Sequence, residues 1–310
     1  MSTRRSHVPA TRLCPHCGAS QPIAAGERVW PVGWACANCG TSPPAAEGFP
    51  LFCPQLADTL TGCDPAGSAF LAKAEEHHFW FRARNRLLVG LLQRHFPDSR
   101  SLLEIGCGAG NVLVNMLRRG NWDRIAGAEL HISGLRIARS RLPPEVELVQ
   151  LDATSIPATN AFDVIGAFDV LEHIEQDEVA LREMYRAVKP GGGVLIAVPQ
   201  HPALWSVSDE VAYHQRRYRR GELERKVSAA GFRIVFSSSY IFFLLPMLVL
   251  NRLLGLGGGK EDPAAIAREF ELAPSINSIL GGITNAEVAL TLAGMRWPIG
   301  GSRIVVARRK

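Results

Sequence analysis

Across the middle of the chain, short apolar runs bounded by glycine or charged residues alternate with stretches whose apolar residues fall three and four apart. The first pattern predicts buried strands and the second amphipathic helices. Residues 100–105 predict a strand, Val112 to Arg118 a helix, and Ile125 to Glu129 a second strand. A third strand is expected at Val146 to Leu151 and a fourth at Phe162 to Phe168. A helix from Asp177 to Val188, a turn at Lys189 to Gly193 and a fifth strand at Val194 to Pro199 follow. Helix Glu222 to Ala230, a sixth strand near Phe232 to Ser239 and a last strand at Ser302 to Ala307 close the series. Such alternation is the signature of a doubly wound α/β domain with a parallel sheet.

Roughly 60 residues separate the last two strands, and connections of that length carry function or are disordered. The segment opens with the apolar run Ile241 to Leu250 and passes Gly255 to Gly259. It then predicts helices near Pro263 to Phe270 and Ser275 to Leu292. The run is ten residues long and contains Pro246, so it is too short to span a bilayer, which takes about 20. A substrate lid, a segment lying in a membrane interface, and plain burial against the lid or a second subunit all fit it.

Composition narrows the picture little. The 310 residues carry 34 basic and 29 acidic side chains, a net charge of +5 that implies neither nucleic acid nor membrane by itself. Arg4 and Arg5 are followed by no apolar core before Cys14, so no signal peptide is expected and a cytoplasmic setting is, with peripheral contact at the inner membrane face as a variant. In that reducing setting the seven cysteines favour metal over disulfides. Cys14-x-x-Cys17 and Cys36-x-x-Cys39, each followed by glycine, have the spacing of a structural four-thiolate zinc ribbon. His16 is expected to be exposed, Cys53, Cys63 and Cys107 to act as small apolar residues, and Thr41 to Gly48 to lead out of the ribbon. The organisation expected is therefore a ribbon over 1–50, a linker and lid helix over 51–98, and a core domain over 99–310 with its insertion at 241–300.

The turn after the first core strand holds Gly106, Gly108 and Gly110. Glycine there permits positive φ and clears the path of a ligand. A dinucleotide fingerprint needs its third glycine at 111, where the chain has Asn111. Glu129, about 20 residues past the glycines at the end of the second strand, is placed to accept hydrogen bonds from ribose hydroxyls.

The ordered strings EIGCGAGN, AGAELHISGL, LDATSIP, FDVLEHI and VKPGGGVLIAVP resemble the motifs of class I S-adenosylmethionine-dependent methyltransferases of the small-molecule type. The resemblance implies a Rossmann-like seven-stranded sheet, here with an N-terminal zinc ribbon and a helical insertion before the last strand. It implies that Gly106, Gly108 and Gly110 pass under the methionine part of the donor. Glu104 would reach the loop amides or the donor's amine, and Glu129 would hold the ribose. Asp152, with Ala153, would meet adenine, and Asp169 would lie beside the donor. HHFWFRARNRLL, HPALWSVSDEVAYHQRRYRRGEL and PIGGSRIVVARR further resemble a bacterial methyltransferase group of largely undefined substrate.

Loops after the fourth and fifth strands should face the acceptor. His173, His201 and His214 are candidate bases there, His214 first because it follows Asp209-Glu210 and precedes a basic cluster. That cluster, Arg216, Arg217, Arg219 and Arg220, suits a phosphate-bearing acceptor or else a solvated helix start paired with Glu222 and Glu224. Phe79-Trp80-Phe81 with Arg82, Arg84 and Arg86 predict a lid helix packed on the core. The function expected is methyl transfer, at oxygen, to a small-molecule or lipid- or glycan-linked acceptor. An RNA methyltransferase gripping its substrate through the ribbon is one alternative, disfavoured because Asp169-Val170-Leu171-Glu172 replaces the D/N-P-P-Y/F string and no basic stripe appears. A non-catalytic donor-binding or zinc-scaffold protein is the other.

Overall fold

The computed structural model describes residues 9–56, 72–118, 120–253 and 272–310. Its centre is a seven-stranded sheet formed by β5 (Ser101–Ile105), β6 (Arg124–Glu129), β7 (Glu147–Gln150), β9 (Phe162–Phe168), β10 (Val188–Pro199), β11 (Arg233–Tyr240) and β12 (Ser302–Arg308). The spatial order is β11-β12-β10-β9-β5-β6-β7, and every pairing is parallel except those of β12. This is the seven-stranded α/β sheet that the alternating pattern led to. Chain order reverses between β5 and β9, the switch point beyond whose carboxyl ends open α/β sheets place their ligands.

Alternate residues of each strand face two separate apolar layers, as the period of two requires. Leu102, Ile125, Leu148, Val164 and Ile304 face α1 (Phe79–His95), α2 (Asn111–Leu117), α3 (Ile132–Arg141) and α8 (Pro274–Leu292). Leu103, Ala126, Val149, Ile165 and Val305 face α4 (Asp177–Ala187) and α6 (Glu222–Ala229). Helix α5 (Val207–Val211), opened by a Ser206/Asp209 capping box, and α7 (Leu245–Leu253) lie in the connections after β10 and β11.

One local expectation is corrected. Residues 189–193, read as a turn, continue strand β10, with a register shift between Val188 and Gly193. The glycines serve close approach: a Cβ at Gly193 would lie 2.1 Å from the Ala307 carbonyl oxygen, and one at Gly192 would lie 2.3 Å from that of Asp163. The helix expected near Pro263 to Phe270, the glycines 255–259 and Cys63 lie outside the described residues. No described helix is long and apolar enough to cross a membrane.

The N-terminal segment is built into this core. Strand β1 (Thr11–Leu13) pairs with β2 (Ser20–Pro22) on one side and with β8 (Ala158–Thr159) on the other. Trp30 is buried among the second layer, its indole N–H donating to the Pro157 carbonyl. The hairpin β3 (Ala45–Ala46) and β4 (Phe49–Pro50) leads to Leu51, which bridges Gln150 and covers edge strand β7. Position 50 therefore marks no break in core contacts.

Candidate functional site

The side beyond β5 and β6 is a backbone construction. Gly106, Gly108 and Gly110 have φ of 65°, 49° and 78°, which disfavour any residue with a Cβ. A Cβ at Gly106 would meet Val170 at 2.3 Å, and one at Gly110 would meet Leu142 at 2.9 Å, whereas nothing lies within 4 Å of the Gly108 position. Gly106 and Gly110 are thus required by the neighbouring side chains, and Gly108 borders open space. Beside the loop, Glu104 is buried with its Oε2 lacking a hydrogen-bond partner, and burial pushes its carboxyl well above the usual range. A buried, unsatisfied carboxylate next to a glycine cradle fits a cationic ligand group.

Glu129 accepts hydrogen bonds from the backbone N–H groups of Gly108, Leu130 and His131 at 2.9, 2.8 and 3.1 Å. Those bonds pin the end of β6 to the glycine loop, and carboxylate lone pairs remain for further donors. Asp152 follows β7, accepts from the backbone and hydroxyl of Thr154, and is followed by buried Ala153. Asp169, at φ 56° after β9, pairs with Arg84 of α1. Arg84 was expected only to pack in the lid helix. Its side chain is 8% exposed, and its guanidinium lies 4.7 Å from the Trp80 ring centre and 5.3 Å from that of Phe81. Arg141 of α3 ties the same face shut, donating to Glu75, Glu76 and the Ala109 carbonyl of the loop.

The opposite side, after β9 and β10, is made of side chains. His214 Nδ1 lies 2.8 Å from Asp209 Oδ1, and Asp209 also accepts from Arg217 and from the backbone and hydroxyl of Ser206. Burial opposes ionisation of Asp209, but the hydrogen bonds from His214 and Arg217 prevail and hold its carboxyl well below the usual range. His214 Nε2 faces Glu172 Oε1 at 3.9 Å, and the His173 and His214 rings meet edge to face with centres 4.7 Å apart. Glu172 is fully buried, its carboxylate oxygens have no hydrogen-bond partner, and burial together with Asp169 pushes its pKa well up. Burial, then the neighbouring His214, lowers His173 to about 4. One ligand atom from each of Glu172, His173 and His214 lies within 4.8 Å of the other two, close enough for the three to act on a single small group.

His201 stands outside this cluster. It occupies the turn after β10 at φ 65°, its backbone N–H bonds the Tyr218 carbonyl, and it faces Arg217 and Arg303. The arginine cluster is also divided. Arg216 pairs with Asp177 and Arg217 with Asp209, so two of the four guanidiniums expected for phosphate are already committed, while Arg219 and Arg220 are exposed. Glu222 and Glu224, the partners expected for the cluster, instead form ion pairs with Lys226 and Arg303.

In the ribbon, Cys14 lies 3.6 Å from Cys39 and Cys17 lies 3.7 Å from Cys36, sulfur to sulfur, with all four thiols within 4.8 Å of one another. Gly18 and Gly40, at φ 71° and 72°, close two matching turns by donating to the Cys14 and Cys36 carbonyls. His16 is exposed, and Cys53 and Cys107 are buried. A cleft lined by Leu92, Phe96, Arg100 and Trp122 opens at the other end of β5, away from the glycine loop.

A mostly parallel sheet with this strand order, a glycine cradle beyond β5 and acids at the ends of β6, β7 and β9 define a class I methyltransferase. Residues 73–236 match the family model described as a methyltransferase domain, and the chain belongs to that family; it is an S-adenosylmethionine-dependent methyltransferase. It is 24% identical over 188 residues to a ubiquinone biosynthesis O-methyltransferase of Idiomarina loihiensis, covering 54% of this chain and 76% of that protein. It is 32% identical over 130 residues to the 2-phytyl-1,4-naphtoquinone methyltransferase of Thermosynechococcus vestitus, covering 41% of this chain and 55% of that one. Phosphoethanolamine N-methyltransferase 2 of Haemonchus contortus, solved with S-adenosyl-L-methionine, shares the fold at a TM-score of 0.53 and 17% identity, over 79% of this chain and 57% of its own.

Proposed function

We propose that the protein methylates a hydroxyl of a small or lipid-linked acceptor, with His214 as general base. The observation that carries this reading is the Asp209–His214 hydrogen bond of 2.8 Å, which leaves Nε2 turned toward Glu172 beside the loop that ends β9. Relatives named as ubiquinone biosynthesis O-methyltransferases agree with an oxygen acceptor, while others are named as ubiquinone/menaquinone biosynthesis C-methyltransferases, and the Asp209–His214 pair favours the former.

When bound, S-adenosylmethionine supplies a methyl group on a sulfonium, so the protein's main task is alignment. Glu104 would hold the ammonium group, Gly108 leaves room for the chain beside it, Glu129 would take ribose hydroxyls, and Asp152 with Ala153 would border the adenine. Arg84 keeps Asp169 fixed at the mouth of the glycine loop. A hydroxyl is a poor nucleophile until its proton is removed. Asp209 fixes the His214 tautomer with the proton on Nδ1, so Nε2 accepts the acceptor's proton, and the Asp209 charge stabilises the imidazolium. Burial, together with the nearby Asp169 charge, raises the Glu172 pKa and so disfavours a competing ion pair with His214.

The thiols of Cys14, Cys17, Cys36 and Cys39 would hold a structural zinc ion. A tetrahedral Zn–S₄ site with bonds of about 2.3 Å places sulfurs about 3.8 Å apart, and the observed separations of 3.6 and 3.7 Å fit it.

The test is incubation with methyl-labelled S-adenosylmethionine and a cell extract separated into lipid, glycan, RNA, protein and small-molecule fractions. Base-stable label in the small-molecule, glycan or lipid fraction that disappears with His214→Ala supports the reading. Label confined to RNA overturns it.

A further inference from the structure

The insertion leaves an apolar surface that methyl transfer does not use. Helix α8 runs beside α1: Phe79 N–H donates to Asn277, Arg86 to Asn285 and Arg94 to the Leu292 carbonyl, and a Cβ at Gly90 would strike Leu292 at 2.6 Å. Its buried face holds Leu280, Thr284, Glu287, Val288 and Thr291. Its outer face presents Ile276, Ile279, Ile283, Ala286 and Leu290, with Ile279 64% exposed. The only ionisable residue of α8 is Glu287, which is fully buried and accepts the backbone N–H groups of Phe242 and Phe243. That contact fixes the segment leading into α7 against α8, and this segment and α7 add exposed Phe243, Met247 and Leu250 to the apolar surface. An outward helix face this long with no charged residue is costly in water and marks a docking surface.

The surroundings say what docks. Along the flank of α8, α1 exposes Arg82, Arg86 and Arg94, and Arg296 is exposed beyond the helix's end. A basic margin around a broad apolar face matches the headgroup and acyl layers of an anionic membrane. Coiled-coil pairing with another helix would call for charged residues beside the seam, and the outer face of α8 has none. The surface also adjoins the site: Tyr240 lies within electrostatic reach of Glu287 on one side and of Arg84 and Asp169 on the other, and its hydroxyl donates to the Trp80 carbonyl.

We infer that the exposed face of α7 and α8, edged by Arg82, Arg86 and Arg94, docks the enzyme on an anionic lipid surface and brings the acceptor cleft to that surface. The inference rests on the proposed function only for where the acceptor comes from; the docking stands or falls by itself.

The full-length protein is to be sedimented with phosphatidylcholine vesicles prepared with and without phosphatidylglycerol. Binding to the phosphatidylglycerol vesicles that falls about tenfold or more with Ile279→Asp plus Ile283→Asp, and that weakens with Arg82→Glu plus Arg86→Glu and with added salt, supports it. All these positions are exposed, and unchanged S-adenosylhomocysteine affinity verifies that the variants are folded. No binding to either vesicle by protein that still binds S-adenosylhomocysteine overturns it. So does a dimer that Ile279→Asp dissociates without any lipid binding. Vesicle binding without O-methyl product would instead retain the docking and remove the proposed reaction.

Discussion

The two halves of the cleft are built from different materials. On the donor side, backbone does most of the shaping: three glycines at positive φ, N–H groups pinned by Glu129, and a turn closed around Asp152. On the side proposed for the acceptor the working parts are side chains drawn from distant positions, with Arg84 reaching Asp169 and Asp209 holding His214 against Glu172. A backbone cradle suits a ligand that is the same in every member of a family. Side chains on loops can be exchanged without disturbing the sheet, which suits a site whose ligand differs from one relative to the next.

If the halves are separable, damage to each should read out differently. The largest effect is expected from Asp209→Asn, which removes the charge that orients His214: kcat should fall roughly a thousandfold while S-adenosylhomocysteine affinity holds, measured by single-turnover transfer and calorimetry. Gly106→Ala attacks the other half. The added Cβ meets Val170 at 2.3 Å in a left-handed conformation, so S-adenosylhomocysteine affinity should weaken about a hundredfold.

A third probe lies outside both halves. Because β1 pairs with β8 and Trp30 bonds Pro157, the ribbon braces the loop that follows Asp152. Metal analysis should find about one zinc per chain, and chelation should lower the melting temperature by roughly 4–8 °C, on the scale of 2 kcal/mol. An unchanged melting curve would confine the ribbon to a passive appendage.

The smallest effect is a pH dependence. Burial raises the Glu104 carboxyl in the free protein, and pairing with an ammonium group favours its ionised form. Below the free-state pKa, binding must expel a proton, so affinity should rise with pH by up to about tenfold per unit, then level off once that pKa is passed. Glu104→Gln should abolish this slope in a calorimetric pH series. A slope that survives the substitution would assign it to another group.

The same division explains what the sequence made legible. Strand and helix positions, the glycine loop and the paired cysteines rest on neighbours a few residues apart, and periodicity and spacing report those directly. Arg84 and Asp209 gave no such signal. One sat in an aromatic and basic helix pattern that packing alone explains, and the other in a string that drew attention to His214 without showing that the chain turns back to place them together. The glycines of 191–193 misled because glycine serves both turns and close strand approach. Only the proximity of Ala307, far away in sequence, distinguishes the two. Both readings of Arg216 and Arg217, phosphate binding or pairing with Glu222 and Glu224, missed their carboxylate partners, Asp177 and Asp209, because these come from other turns of the fold.

Separability itself is tested most directly with His214→Ala, by comparing calorimetric S-adenosylhomocysteine binding with transfer of labelled methyl groups into a cell extract. Affinity within about twofold of the unaltered protein, together with transfer lowered by roughly a thousandfold or more, is the predicted result. Loss of affinity in step with transfer, or full transfer without His214, would contradict it.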